Sequence, residues 1–235
     1  AMDSMVNHYT ANRRKRSDDA YTPNGKAGMR PDYPSIIYTQ ALKKLYPDVP
    51  VIIGGIEASM RRLSHYDYWQ DTLRPSILID SKADILVYGM GEKPILEIAN
   101  YLRDGKQISE LTDIPQTAIC VNASSIPEHL DSEKEELLHS HEECLKDKKL
   151  HAANFKVIEI ESNKWQGRTL WQKVGNRAVK VNGTNPPLSE SEIDSSFDLP
   201  YTRLPHPRYR GKRIPAYEMI RHSVNMHRGC FGGCS

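Results

Sequence analysis

Val51-Ile52-Ile53-Gly54-Gly55 reads as a short buried strand running into a glycine turn, because β-branched residues bounded by glycine suit a parallel-sheet interior. Ala83-Asp84-Ile85-Leu86-Val87-Tyr88-Gly89 repeats the arrangement. Ahead of the first strand, Ile37, Ala41, Leu42 and Leu45 are spaced for one face of a helix that Pro47 and Pro50 close. Behind the second, Ile95, Ile98, Ala99 and Leu102 make a stripe on a helix, with Gly105 just past its expected end. Strand, glycine turn and helix in succession are the grammar of βαβ units. Residues 35–127 are therefore expected to form an α/β unit with an open, mainly parallel sheet, and Ser76-Ile77-Leu78-Ile79 reads as a further strand.

Outward from this unit the pattern weakens. Residues 1–34 are polar and irregular, with Arg13-Arg14-Lys15-Arg16, Ser17-Asp18-Asp19 and Pro23-Asn24-Gly25 giving no period that buries a face. Residues 128–163 read as a helical segment: Leu137, Leu138, His141, Cys144 and Leu145 mark a helix starting near Asp131 or Ser132, and Phe155 to Ile160 continue as helix. Residues 164–235 open with a hairpin, Thr169 to Val174 and Ala178 to Asn182 around Gly175-Asn176. After Gly183 come Pro186, Pro187, Pro200, Pro205, Pro207 and Pro215. That density forbids long helices and predicts an extended tail, interrupted by one short helix near Ser189 to Ser196.

The 235 residues carry 32 Lys+Arg against 30 Asp+Glu, a net charge of +2. This balance gives no indication of a nucleic-acid partner. No apolar run approaches the roughly 20 residues that span a bilayer, and Ala1-Met2-Asp3-Ser4 lacks the apolar core of a signal peptide. A cytoplasmic protein with no membrane partner is expected.

In open α/β sheets ligands bind outside the carboxyl ends of the strands. The loops Gly54-Gly55-Ile56-Glu57-Ala58-Ser59 and Gly89-Met90-Gly91-Glu92 are therefore the places to look. Lys93-Pro94 stands where a dinucleotide loop wants its third glycine, which weakens a nucleotide reading. Between the loops lies His65-Tyr66-Asp67-Tyr68-Trp69, flanked by Arg61, Arg62, Asp71, Arg74, Asp80 and Lys82. Such a density of charge and aromatics suits a polar binding site, an interdomain contact or an ordinary salt-bridged loop. The candidate pocket or interface is thus Gly54, Gly55, Glu57, His65, Asp67, Asp80, Gly89 and Glu92.

Four cysteines are too few for a disulfide scaffold of this size. Cys120, within Ala118-Ile119-Cys120-Val121, reads as a small buried hydrophobe. His139, His141, Cys144 and His151 do not share one helix face, which argues against a metal cluster there. Only Cys230-Phe231-Gly232-Gly233-Cys234-Ser235 has a spacing that asks for chemistry. Its thiolates are soft ligands for iron–sulfur clusters or zinc, and its glycines let backbone wrap closely around an inorganic core.

Ser223-Val224-Asn225-Met226-His227-Arg228-Gly229-Cys230-Phe231-Gly232-Gly233-Cys234-Ser235 resembles the opening of a radical SAM domain. The chain as a whole resembles the YgiQ family of radical SAM proteins. Supporting stretches include Asp18-Asp19-Ala20-Tyr21-Thr22-Pro23, Gly54-Gly55-Ile56-Glu57-Ala58-Ser59, His65-Tyr66-Asp67-Tyr68-Trp69, Asp80-Ser81-Lys82-Ala83-Asp84, Pro205-His206-Pro207 and Ile214-Pro215-Ala216-Tyr217-Glu218. The α/β segment is also similar to the second half of the Rossmann-like, cobalamin-binding domains that precede other radical SAM barrels. It lacks the Asp-x-His-x-x-Gly element that supplies a cobalt-ligating histidine in one class of those domains, an element that other radical SAM relatives do without.

The resemblance implies an accessory region ahead of a catalytic barrel. Cys230 and Cys234 match the first two ligands of the Cys-x-x-x-Cys-x-x-Cys motif, which binds a 4Fe–4S cluster carrying S-adenosylmethionine. The third ligand would fall beyond Ser235. The expectation is that the intact protein uses both cofactors on an unknown substrate, with the missing C-terminal barrel as the partner of this region. The 235 residues alone are expected to bind neither cofactor. Two rivals remain open: a stand-alone module for a cobalamin-like or nucleotide-like ligand at the glycine loops, and a zinc-mediated assembly of two chains through Cys230 and Cys234.

Overall fold

Three consecutive buried residues, Ile85, Leu86 and Val87, form the strand on which the larger of two compact units is built. The computed structural model describes residues 8–225. Residues 35–187 make one unit, and residues 8–34 with 188–225 make the other. In chain order the first contains α1 (Pro34–Leu45), β1 (Ile52–Ile53), α2 (Gly55–Met60), β2 (His65–Asp67), β3 (Thr72–Arg74), α3 (Ile77–Ser81), β4 (Ile85–Val87) and α4 (Glu92–Arg103). It continues with β5 (Thr117–Asn122), β6 (Glu135–Leu137), α5 (His141–Lys146), α6 (Lys148–Ser162), β7 (Thr169–Val174) and β8 (Arg177–Val181). The second unit holds α7 (Glu190–Phe197) and α8 (Pro215–Ile220).

The fold is α/β with an open six-stranded sheet of order β1-β4-β5-β8-β7-β6. Its outer pairs, β1 with β4 and β6 with β7, are parallel; the three inner pairs are antiparallel. Strands β2 and β3 make a separate two-stranded ladder. Ile85 and Val87 pack with Ile98, Leu111, Ile114 and Ile119 into a core cluster, which is where the stripe on α4 finds its partner. The hairpin β7–β8 turns at Gly175, whose φ of +58° suits a residue without a side chain.

Two local expectations are corrected. Ser76 to Ile79 is not a strand: the Ser76 hydroxyl accepts a hydrogen bond from the Leu78 amide at 3.2 Å, capping α3. No helix starts near Asp131 or Ser132. Residues 135–137 pair with β7 instead, and α5 begins only where Ser140 and Glu143 form a reciprocal capping box. On α1 the apolar face of Ile37, Ala41, Leu42 and Leu45 points outward, while Ser35, Ile36 and Thr39 are buried.

Buried ions tie the far edge of the sheet to α6. The Glu161 carboxylate accepts from the Arg168 amide at 2.9 Å, its Nε at 3.0 Å and its Nη2 at 2.8 Å, and from Lys164 at 2.7 Å. Burial alone would raise this carboxyl, but those donors outweigh it and hold the group down at about 2. The same turn needs glycine twice by close approach: a Cβ on Gly167 would strike the Glu161 carbonyl, and one on Gly183 the Gly167 carbonyl.

In the second unit, buried Asp19 receives Arg30 in a fork of 2.8 and 2.9 Å, and His8 bridges Asp19 and Asp32 at 3.3 and 2.8 Å. Backbone bonds from Asn24 to Arg213 and from Ala216 to Ala20 pin the late segment to the early one.

Gly183→Ala should destabilise the chain by about 1–3 kcal/mol through forced backbone displacement, read as a lower urea midpoint with an unchanged slope. Because the folded pKa of Glu161 lies below its unfolded value, its contribution is complete above about pH 4.5 and is lost as pH falls towards 2. Urea titrations from pH 7 to 3 should show that loss in the wild type and a shallower one in Glu161→Gln.

Candidate functional site

Both glycine loops lie at the carboxyl ends of the parallel strands β1 and β4, as the topology requires. Gly54 is extended, and a Cβ there would approach the Val87 carbonyl to 3.1 Å. Gly55 opens α2 with φ +83° and Gly89 follows β4 with φ +65°, conformations that favour glycine. The Gly89 turn is fastened from three sides. Gln116 Nε2 donates to the Tyr88 and Met90 carbonyls at 3.0 Å each, Ser59 Oγ accepts from the Gly89 amide at 3.3 Å, and Gln116 Oε1 accepts from the Asn185 amide at 3.2 Å.

These contacts make the loop a rigid turn. At the start of α4, moreover, Glu92 puts a carboxylate where a phosphate would need an uncompensated positive helix end. Glu57 is buried and already engaged: its carboxylate accepts from Ser35 Oγ at 2.9 Å and from Arg61 Nη1 at 3.2 Å.

The charged stretch between the loops divides into two clusters. In the β2–β3 ladder His65 stands opposite Arg74 and Asp67 opposite Thr72. Asp67 Oδ1 caps the following turn, accepting from the Trp69 and Gln70 amides at 2.9 and 3.2 Å. Arg74 bridges Asp67 and Asp80, at 3.8 and 2.7 Å. The structure thus brings His65, Asp67 and Asp80 around Arg74, whereas Glu57, Gly54, Gly55, Gly89 and Glu92 belong to the strand-end loops. Burial pushes the half-buried His65 down to about 4, and Arg61 and Arg74 add to the effect, so its imidazole is neutral at pH 7.

The second cluster was not legible from spacing. Ser64 Oγ and His141 Nδ1 lie 2.9 Å apart, both side chains buried, although 77 positions separate them. The Ser64 amide donates to Gln172 Oε1 at 2.8 Å, and Gln172 Nε2 donates to the His139 carbonyl at 3.1 Å. Asn154 brackets the His139 backbone from the other side and donates to Cys144 Sγ at 3.2 Å. Burial lowers His141 and His151 and raises the Cys144 thiol.

Beside this cluster, buried Arg62 joins α2 to α6: it donates to the Ser59 carbonyl and, at 2.7 Å, to Ser162 Oγ, and stacks 4.7 Å from the Tyr88 ring centre. Burial pushes Tyr88 up to about 12, so its hydroxyl stays a donor, here to the Asn182 carbonyl. Neutral imidazoles, a protonated phenol and hydrogen-bonded amide side chains make this a rigid polar brace. Periodicity within elements could not announce it, since most of its bonds join residues far apart in the chain.

Among the described residues, no three His, Cys, Asp or Glu side chains group to hold a metal, and no helix is long and apolar enough to cross a membrane. Cys230 and Cys234 lie outside the described residues. Separately, in the second unit, residues 202–221 enclose an open groove of about 690 Å³ lined by Leu204, His206, Tyr209, Tyr217 and Arg221.

A family model described as "Radical SAM N-terminal" matches residues 1–223. A UPF0313 protein of Porphyromonas gingivalis is 60% identical over 235 residues, covering all of this chain and 37% of the relative. UPF0313 protein YgiQ of Escherichia coli is 45% identical over 284 residues, covering all of this chain and 38% of the relative. A UPF0313 protein of Geobacter sulfurreducens is 49% identical, with 38% of its length covered. The chain thus spans less than half the length of the curated relatives it matches. No solved structure matches it.

Proton uptake by His65, His141 and His151 favours the unfolded chain, because their folded pKa values lie below the ordinary histidine range. Stability from these groups is therefore complete above about pH 6.5 and declines as pH falls towards the His65 value of about 4. Imidazole NMR should show His65 titrating near 4; a midpoint near 6.5 would contradict its buried, cation-flanked setting.

Proposed function

The chain belongs to the radical SAM N-terminal family, and from that membership we propose that it is the accessory region ahead of the catalytic barrel of a radical SAM protein. The observation that carries this reading is the family match to residue 223, followed after residues 224–229 by Cys230-Phe231-Gly232-Gly233-Cys234. The relatives' greater length supports it.

In the intact protein Cys230 and Cys234 would hold two irons of a 4Fe–4S cluster, with a third thiolate supplied three residues further on. The donor set suits the group: two thiolates separated by Phe231-Gly232-Gly233 give a glycine-rich spacing that can wrap a compact cluster. The described residues offer no competing ligand set, and the thiols of Cys120 and Cys144 are raised by burial. When bound, the cluster and S-adenosylmethionine would supply one-electron chemistry that no side chain provides. The role of the 235 residues is positional. They shape the opening through which the substrate reaches the barrel, and by themselves they bind neither cofactor. A cytoplasmic setting, which keeps such thiols reduced, fits this use.

Anaerobic reconstitution with iron and sulfide tests the reading. The gene product extending past Ser235 should take up one cluster, lose it in Cys230→Ser and in Cys234→Ser, and bind S-adenosylmethionine only when the cluster is present. The 235-residue chain should stay colourless and give no heat with S-adenosylmethionine or hydroxocobalamin. A stoichiometric cluster in the short chain, or one retained in both serine variants, would refute it.

A further inference from the structure

Helix α1 is built inside out. Its inward face carries Ser35 and Thr39 beside Ile36, all buried, and Ser35 Oγ donates to the buried Glu57 carboxylate at 2.9 Å. Its outward face carries Ile37 at 48% exposure, Tyr38 at 51%, Leu42 at 45% and Leu45 at 69%. Backbone bonds from Tyr46 to the Leu42 carbonyl and from Val49 to the Tyr46 carbonyl carry the turn onward. Tyr46 and Val49, at 58% and 55%, extend the stripe. Positions 38, 42, 45 and 49 repeat at the three- and four-residue intervals that place side chains side by side on a helix.

The helix cannot roll to hide this face. Gln40 Nε2 donates to the Asp80 carbonyl at 2.7 Å and Lys43 Nζ lies 2.6 Å from Asp84 Oδ2. Together with Ser35, these tethers fix α1 in rotation with its polar side inward. Leaving the opposite side in water is costly, at about 25 cal/mol for each Å² of apolar surface, and contiguous exposed patches of this kind mark interaction surfaces.

We propose that the outward face of α1, made by Ile37, Tyr38, Leu42, Leu45, Tyr46 and Val49, is the docking surface for the remainder of the longer protein. The inference rests on the reading that the chain is the accessory region of such a protein, and it names the surface by which that region engages the rest. Two observations favour this occupant over a second copy of the chain. Well over half the length of each matched relative lies outside the matched part. In addition, a stable interface between free chains asks for roughly 800 Å² per partner. A covalently joined partner needs less, because tethering supplies a high effective concentration. The complementary surface is accordingly apolar.

Hydroxyl-radical footprinting of the native side chains tests this without altering the fold. Oxidation of Tyr38, Leu42 and Tyr46 should be slower by about fivefold or more in the gene product extending past Ser235 than in the 235-residue chain, as expected for residues moved into an interface core. Light scattering should find the short chain monomeric. Equal oxidation rates would overturn the proposal. So would protection in the short chain that rises with its concentration, which would assign the face to a second copy, or a gene that stops at Ser235. The same footprint taken on iron-free extended protein carrying Cys230→Ser separates the two readings: protection there upholds the docking surface even if no cluster forms.

Discussion

Everything in the larger unit depends on the pairing of β5 with β8. This ladder, Ala118 opposite Val181 through Asn122 opposite Arg177, joins segments about sixty positions apart. It welds the β1–β4 half, with its glycine loops, to the β7–β8 hairpin and β6. Thr117, Ala118, Ala178 and Val179 are fully buried along it, so its backbone groups have no water to fall back on and must pair. Asn182 extends the ladder by side chain, donating to the Thr112 and Ile114 carbonyls at 2.9 and 3.0 Å. That sets the position of Gln116, and with it the geometry of the Gly89 turn.

Around this seam, buried charge serves as bracing. Arg62, Glu161 and Asp19 are each removed from water, which would be prohibitive for an isolated ion. Each is met by hydrogen-bonding partners held in place around it. The cost of losing one partner is what makes these networks specify a single arrangement. It also explains why the histidines and carboxylates that attract attention in the sequence are engaged in structure: Glu57 by Ser35 and Arg61, Asp67 by its own turn, Asp80 by Arg74. The strand-end loops, held equally tightly, are rigid features of a scaffold.

A rigid scaffold with one mismatched face suits an accessory region. The braces hold the unit in shape, and α1 presents an apolar stripe that this unit does not use. Within the second unit, the proline-rich segment is pinned to residues 20–24 and forms no long helix among the described residues.

Much of the fold was legible in the sequence. The periods of β1, β4 and α4, the Gly175-Asn176 hairpin and the short helix near Ser189 to Ser196 are short-range signals, and each is carried out by residues within a few positions of one another. What misled were signals with a local competitor: the Ser76 cap overrode an apolar run, and pairing with β7 took residues 135–137 from an apparent helix. The Cys-x-x-x-Cys ending and the matching upstream stretches identified the family, because a metal motif and family motifs are written in residue identity alone. Only tertiary structure decided which charges are braces, that Ser64 meets His141, and that the apolar side of α1 faces out. Those outcomes depend on contacts between distant segments, and an amphipathic period fixes which residues share a face without fixing which way that face turns.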